Sequence, residues 1–386
     1  MKIAKIEYFT LRCPIPVNYN KPTASFVGDG SIYLRVFTDN GLEGIGEPSP
    51  YGANLNQMVS ILQNMLIPKW IGRNPLDIDN LIFQEDMGVG YGNIGYNALV
   101  AGFSQALWDI YGKYEKKPVY KLINPNSDGK IQAYASAGMW YESSPTEEIV
   151  EEALNCFHNG FNFYKLRPET PEGSGNHIQR NLNPPKVNLK RFIKILEEIN
   201  INTNGKLKII VDAGCRLNFN EAHYLCKAME ELNCAVLEEP IKRDYQKYVK
   251  LKKISKIALA GGESLVSESQ FMPWIKNKAL DYLQPDANLA GINEIIKINN
   301  LAKASELKIV LHNWTNDINC AANAHLGCAL DTCEMIESNL TYNPLRNKIL
   351  MEKIILKEGK YHLTEKPGLG IELNEQILDE YSFNLN

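Results

Sequence analysis

Seven polar residues recur through the middle and C-terminal parts of this sequence, each near the end of a short apolar run. They are Lys165, Asp212, Glu238, Glu263, Asp286, His312 and Glu337, at intervals of 47, 26, 25, 23, 26 and 25 residues. With one further run ahead of them, the runs read IQAYASAG, FNFYKL, KLKIIVDA, CAVLEEP, IALAGGE, LDYLQPD, KIVLHNW and TCEMIES, and amphipathic stretches separate them. Eight strand-like runs alternating with helix-like segments predict parallel βα units. Such a unit in a closed barrel takes about 30 residues, so a near-constant repeat is what a (β/α)8 barrel requires. The one long interval holds PETPEGSGNHIQRNLNPP, too rich in Pro, Gly and Asn for another βα unit, and it reads as a loop.

The rest of the chain has a different texture. Residues 1 to about 50 read as strands and turns, with Asn40-Gly41 between two β-type runs as a hairpin signal. Residues 55–85 and 94–114 read as helices, and from about 350 the strand-and-turn texture returns. A chain of 386 residues has room for one large domain and a smaller one. The expected division is an α+β unit over 1–128, a barrel over 129–349 and a C-terminal segment, 350–386, that rejoins the first unit. The opening MKIAKIEYFTLRCPI alternates like a strand and lacks the apolar core of a signal peptide. No window of 18 uninterrupted apolar residues predicts a membrane span. A net charge of −4 gives no electrostatic case for nucleic acid or an anionic membrane. Cys13, Cys156, Cys215, Cys226, Cys234, Cys320, Cys328 and Cys333 form no C-x-x-C pair and sit mostly in apolar runs. They read as reduced core thiols of a cytoplasmic protein, not as disulfides or a zinc site.

Barrel enzymes gather their reacting groups at the C-terminal ends of the strands, where the βα loops open. Taken singly, any of the seven could be a solvated rim charge or a structural histidine; seven in register is the argument for a site. Asp212, Glu238 and Glu263 end three successive runs, so their carboxylates would converge and raise one another's pKa. A hard divalent cation resolves that repulsion, and all-oxygen ligation suits Mg²⁺ or Mn²⁺. Asp286 and His312 end the next two runs, and an Asp beside a His fixes its tautomer and raises its basicity. Lys165 and Arg167, alternate residues of one strand, share a face and would point two cations into the barrel mouth. There they could hold an anionic substrate or the charge that develops on it. Gly90-Tyr-Gly92-Asn-Ile-Gly95 fits a dinucleotide fingerprint but follows a helix-like segment instead of a strand. His325, in a helical pattern, reads as packed.

On these residues the chain resembles the mandelate racemase group of the enolase superfamily, over nearly its whole length. QALWDIYGKYEKKPVYKLI looks like the family's last capping helix and linker, and NPLRNKI and PGLGIEL are also similar to it. The resemblance implies a modified (β/α)8 TIM-type barrel under an α+β capping domain completed by the C-terminal segment. VDA, LEEP and GGE imply Asp212, Glu238 and Glu263 as Mg²⁺ ligands, with Mn²⁺ as a substitute. PD and LH imply the Asp286–His312 dyad, and MIE implies a role for Glu337. The cap loops that usually reach substrate correspond to stretches near Tyr19–Gly28 and Pro48–Asn54. Two departures stand out. The second strand carries K-L-R where members using a base there often carry K-x-K, and Gly214 stands where Asn is common.

The expected activity is therefore Mg²⁺-dependent abstraction of the proton α to a carboxylate through an enediolate. Dehydration of an acid sugar, an aldonate or aldarate, to a 2-keto-3-deoxy acid comes first. Arg167 cannot serve as a base at ordinary pH, which favours one-sided chemistry from His312. A racemase, epimerase or cycloisomerase is the alternative within the family, and a non-catalytic small-molecule binder is the alternative outside catalysis. A small-molecule carboxylate is the expected partner, with neither nucleic acid nor membrane, in a homo-oligomer. The loop after Arg167 is expected to border the substrate pocket.

Overall fold

The computed structural model describes residues 1–14, 21, 30–51, 53–81, 94–171 and 186–385. The N-terminal unit opens with an antiparallel meander: β1 (Ile3–Leu11), β2 (Ser31–Thr38) and β3 (Glu43–Gly46). The β2–β3 turn falls at Asn40-Gly41, as its sequence predicts; Gly41 takes φ 85° and Thr38 Oγ1 accepts from Leu42 N at 2.9 Å. The helix expected over 55–85 is interrupted. It runs as α1 (Leu55–Ile61), a π-helical turn at Leu62–Leu66 and Ile67–Trp70, then stops before a short helix at Ile78–Leu81. Gly72 at φ 77° followed by Asn74-Pro75 supplies the stop. Residues 82–85 lie outside the described residues, as do most of the Tyr19–Gly28 stretch and Gly90–Asn93 of the glycine-rich match. The second expected helix is α2 (Ile94–Glu115), buried along most of its length.

Strand β3 lies directly on α2. A Cβ on Gly46 would stand 1.9 Å from the Gly102 carbonyl oxygen, and one on Gly44 would stand 2.0 Å from that of Ala106. Backbone meets backbone here because both positions lack a side chain, which lowers β3 onto the helix and brings the residues that follow it, Glu47 to Tyr51, over the barrel.

The barrel strands are β4 (Lys130–Ser136), β5 (Phe163–Leu166), β6 (Lys208–Asp212), β7 (Val236–Glu238), β8 (Ala258–Gly261), β9 (Tyr282–Leu283), β10 (Lys308–Leu311) and β11 (Cys333–Asn339). They pair in parallel in chain order, and β11 closes on β4 with Glu337 opposite Tyr134. The intervening helices are α3 (Thr146–His158), α4 (Leu189–Asn202), α5 (Phe219–Glu231), α6 (Tyr245–Lys252), α7 (Glu268–Lys276), α8 (Gly291–Ala304) and α9 (Asp317–Ala329). Tyr134, Ile210, Val236, Ala260, Val310 and Met335 fill the barrel interior, so it is a packed core and not a pore. A second, larger core lies between strands and helices.

After β11 the chain leaves the βα pattern. A hairpin of β12 (Ile355–Lys357) and β13 (Lys360–His362) adds antiparallel to the start of β4, with Lys360 opposite Gln132. Helix α10 (Glu375–Tyr381) then reaches the meander, where Phe383 N donates to Thr10 O at 3.0 Å. All eight cysteines are unpaired thiols. Among the described residues no helix is long and apolar enough to cross a membrane. If the strand-on-helix contact positions the cap, Gly46→Ala should destabilise the protein by about 1–3 kcal/mol. Urea unfolding reads this out, and an unchanged midpoint would show that the contact yields freely.

Candidate active site

The seven spaced residues come together at the C-terminal mouth of the barrel, because each lies within about three residues of the end of its strand. Asp212 and Glu238 are registered partners across β6 and β7. Lys165 ends fully buried, with its Nζ 2.9 Å from Glu238 Oε1, 2.7 Å from Glu337 Oε1 and 4.0 Å from Asp212 Oδ2. Arg167 leans over the same group: its Nε is 2.9 Å from Asp212 Oδ2 and its Nη2 is 3.7 Å from Glu337 Oε1. The guanidinium lies 4.2 Å from the Trp314 ring centroid. On the opposite side, His312 Nδ1 meets Asp286 Oδ2 at 2.7 Å, while its Nε2 faces Glu263 Oε2 at 3.3 Å and Glu337 Oε2 at 3.7 Å.

Electrostatics follow from this interleaving of charge. Burial alone would strip Lys165 of its proton, but Glu238 and Glu337 outweigh burial and raise its pKa, so it is a fixed cation. Burial likewise opposes charge on His312, yet Glu263, Glu337 and Asp286 together raise it to about 10. Burial pushes Glu238 up to about 7 despite Lys165. Burial also pushes against ionised Glu337, but Lys165, His312 and Arg167 hold it low. For Asp286 burial is again the largest influence, overcome by its bond to His312, by that imidazole's charge and by donors on its other oxygen.

Asp212, Glu238 and Glu263 are the residues that could hold a metal. Their donor set fits a hard divalent ion: three carboxylates from consecutive strands, with no sulfur or nitrogen among them. In the arrangement seen here the countercharge comes from side chains: Lys165 and Arg167 on Asp212 and Glu238, and Arg243 Nη2 at 3.4 Å from Glu263. Consistent with that, no three His, Cys, Asp or Glu side chains among the described residues stand as a preformed metal centre.

Several contributors were not legible beforehand. Tyr51, within the Pro48–Asn54 stretch, donates from its hydroxyl to Asp286 Oδ2 at 2.8 Å and lies 3.3 Å from His312 Nδ1. Asn319 and Asn323 donate to Asp286 from α9, Asn313 donates to Glu337 O, and Glu47 accepts from the backbone amides of Asn316 and Asn319 at the start of that helix, so that Glu47, Asn313, Asn316, Asn319 and Asn323 surround the start of α9. The i, i+3, i+7 spacing of the last three was the available signal. Of the Tyr19–Gly28 stretch, Lys21 is described: its Nζ lies 3.4 Å from the Trp140 ring centroid and 3.0 Å from Glu152 Oε2. Residues 172–185 of the loop after Arg167 lie outside the described residues. His325 is packed, as expected: Nδ1 accepts from Tyr120 N at 3.1 Å and Nε2 donates to Leu369 O at 3.1 Å.

Comparison with known proteins agrees with this architecture. Residues 148–377 match the family described as enolase C-terminal domain-like. Residues 15–124 match the mandelate racemase / muconate lactonizing enzyme N-terminal domain. Arabinonate dehydratase of Saccharolobus solfataricus is 29% identical over 91% of this chain and 90% of its own length. D-galactonate dehydratase of Pectobacterium atrosepticum is 27% identical over 92% of this chain and 91% of its own. The crystal structure of an enolase superfamily member from a Polaromonas species superposes with a TM-score of 0.83 at 26% identity, covering 100% of this chain and 98% of that one.

The two buried histidines are set oppositely, and His325 gives a stability test. Burial lowers its pKa to about 4, so the folded state keeps it neutral while the unfolded chain protonates it near 6.5. Its contribution is complete above about pH 6.5 and is lost as pH falls toward 4, by up to about 3 kcal/mol. His325→Gln should flatten that acid limb of stability against pH in urea titrations. An identical limb would assign acid sensitivity elsewhere.

Proposed function

The chain belongs to the mandelate racemase / muconate lactonizing enzyme family, with an enolase-type barrel, and from that premise we propose that it dehydrates an acid sugar to a 2-keto-3-deoxy acid. The observation that carries the reading is the asymmetry of the mouth. His312 stands on one side with Asp286 behind it, and among the described residues the basic groups facing it are the cations Lys165 and Arg167, each tied to carboxylates.

Asp212, Glu238 and Glu263 would hold a divalent cation, Mg²⁺ or Mn²⁺, which when bound supplies Lewis-acid polarisation of the substrate carboxylate. Lys165 adds fixed positive charge beside the same carboxylate. His312 Nε2 takes the α-proton, breaking Cα–H and leaving the electron pair delocalised into the carboxylate as an enediolate. Such a proton is weakly acidic, so most of the rate must come from stabilising that charge. Glu263 faces Nε2 and is the largest influence raising His312. A cation held by Glu263 would take up that charge and lower the imidazole toward the neutral range in which it serves as a base. Glu337, between Lys165 and His312, is placed to hydrogen-bond the enediolate oxygens when it carries a proton. His312 returns the proton it took to the β-hydroxyl, which leaves as water with Arg167 binding it as it departs. Cα=Cβ forms, and the resulting enol gives up its O–H proton and gains one at Cβ, exchanged with solvent, to give the keto acid. The names of the relatives, arabinonate and D-galactonate dehydratases, suggest a five- or six-carbon aldonate.

Screening aldonates and aldarates for 2-keto acid formation tests the reaction; no product from any of them, with α-proton exchange instead, would favour the racemase or epimerase alternative. His312→Asn should abolish both turnover and α-proton exchange in D₂O, by about 100-fold or more. Exchange at the wild-type rate would move the base to Lys165. EDTA should abolish activity and Mg²⁺ restore it. Mg²⁺ should also raise the Tm of the wild type more than that of Glu238→Gln. Full activity in metal-free protein would sink the ligand assignment.

A further inference from the structure

We infer that Asn319, held by Gln105 and by Glu47 of the cap, is a positioning residue for the Asp286–His312 pair; this rests on the reading of His312 as the base. The starting observation is an anomaly of composition. Along the side of α9 facing the barrel mouth stand Asn316, Asn319 and Asn323, with Asn313 just ahead, at 1%, 0%, 0% and 2% exposure. Asparagine is a poor helix former and costly to bury without partners. A helix wedged between barrel and cap would ordinarily be apolar there.

Two of the four converge on Asp286, whereas Asn316 Nδ2 donates to the Tyr33 hydroxyl at 2.9 Å and Asn313 Nδ2 to Glu337 O at 3.0 Å. Asn319 Nδ2 and Asn323 Nδ2 donate to Asp286 Oδ1 at 3.0 and 3.2 Å, and Asn288 N donates to it at 2.9 Å. This is the oxygen turned away from His312; Oδ2 is the one on the imidazole. Asp286 is thus gripped from behind, which sets the direction in which Oδ2 presents to Nδ1 and therefore where Nε2 points.

The grip on Asn319 comes from the cap. Glu47, fully buried, accepts from Asn316 N at 2.8 Å through Oε1 and from Asn319 N at 3.1 Å through Oε2. Two otherwise unmatched amides at the start of α9 are satisfied by a carboxylate from another unit, where the helix dipole also favours it. Gln105 of α2 completes the chain: its Oε1 accepts from Glu47 N at 3.0 Å and its Nε2 donates to Asn319 Oδ1 at 3.1 Å. With Oδ1 occupied by a donor, the Asn319 amide can present only its NH₂ to Asp286. A buried line of hydrogen bonds runs from Glu47 through Gln105, Asn319 and Asp286 to His312. A reacting group misplaced by about 1 Å can lose about 100-fold in rate, so a line that fixes imidazole direction acts on kcat.

Selective ¹⁵N labelling of the six histidines makes the His312 Nδ1–H resonance readable without substrate, assigned by its loss in His312→Asn. Asn319→Leu should shift or broaden that resonance. It should also slow turnover of arabinonate, or of whichever aldonate the wild type accepts best, by about 10–100-fold with KM changed less than about threefold. Glu47→Gln keeps the volume but cannot accept from both amides, so it should act in the same direction more weakly, and it decides the matter if Asn319→Leu does not fold. A His312 resonance identical to wild type in the folded variants, or a moved resonance with an unchanged rate, would overturn the positioning role. Full activity in His312→Asn would instead overturn the base assignment, while the resonance still reports whether Asn319 holds the pair.

Discussion

The buried ammonium of Lys165 between Glu238 and Glu337 is the contact on which the barrel mouth depends. Several carboxylates at the ends of neighbouring strands would repel one another in a poorly solvated space, and no single arrangement of them is stable without positive charge among them. Lys165 supplies it at 2.9 and 2.7 Å, and Arg167 extends it to Asp212 at 2.9 Å. Removing one partner of such a set leaves an uncompensated buried charge, which costs more than the pair contributes. The fold thus tolerates its acidic strand ends because Lys165 near the end of β5 and Arg167 just after it place two cations among them.

That electrostatic balance also explains the apparent contradiction in His312. An imidazole raised to about 10 is a poor base at neutral pH. It is raised by Glu263 and Glu337, the groups that the proposed reaction assigns to metal and enediolate. In the proposed reaction, uptake of Glu263's charge by a bound cation would release the imidazole to act as a base. Asp286 behaves differently, because the donors on its other oxygen, Asn319 and Asn323 of α9 and the Asn288 amide, are neutral.

Most of the barrel could be read in the sequence because each βα unit repeats the same problem, an apolar run followed by one polar residue at the open end, and repetition makes weak local signals add. The Asn40-Gly41 hairpin was legible for the same local reason. The helix over 55–85 was not, since its apolar periodicity continues past a stop imposed by Gly72 and Pro75. Residues from strand ends were found, whereas Glu47, Tyr51 and the asparagines of α9 were not. Their significance lies in contacts between segments more than 200 residues apart, such as Glu47 with Asn316 and Asn319. A buried polar residue in a sequence looks like an exposed one until its partner is known.

The joining of the two chain ends has a consequence for how the protein comes into being. Strand β1 is made before any barrel strand, yet its far end is secured by Phe383 and the bridge from Leu11 to Ser382. The hairpin that extends β4 likewise comes from residues 355–362. The meander can pack on α2 early, but the far end of β1 waits through the synthesis of the entire barrel for Ser382 and Phe383. Contacts of such long sequence separation are slow to form. A chain at that stage of translation has a nearly finished barrel with one edge of its cap unlatched, and unpaired strand edges of this kind are where large chains misassemble.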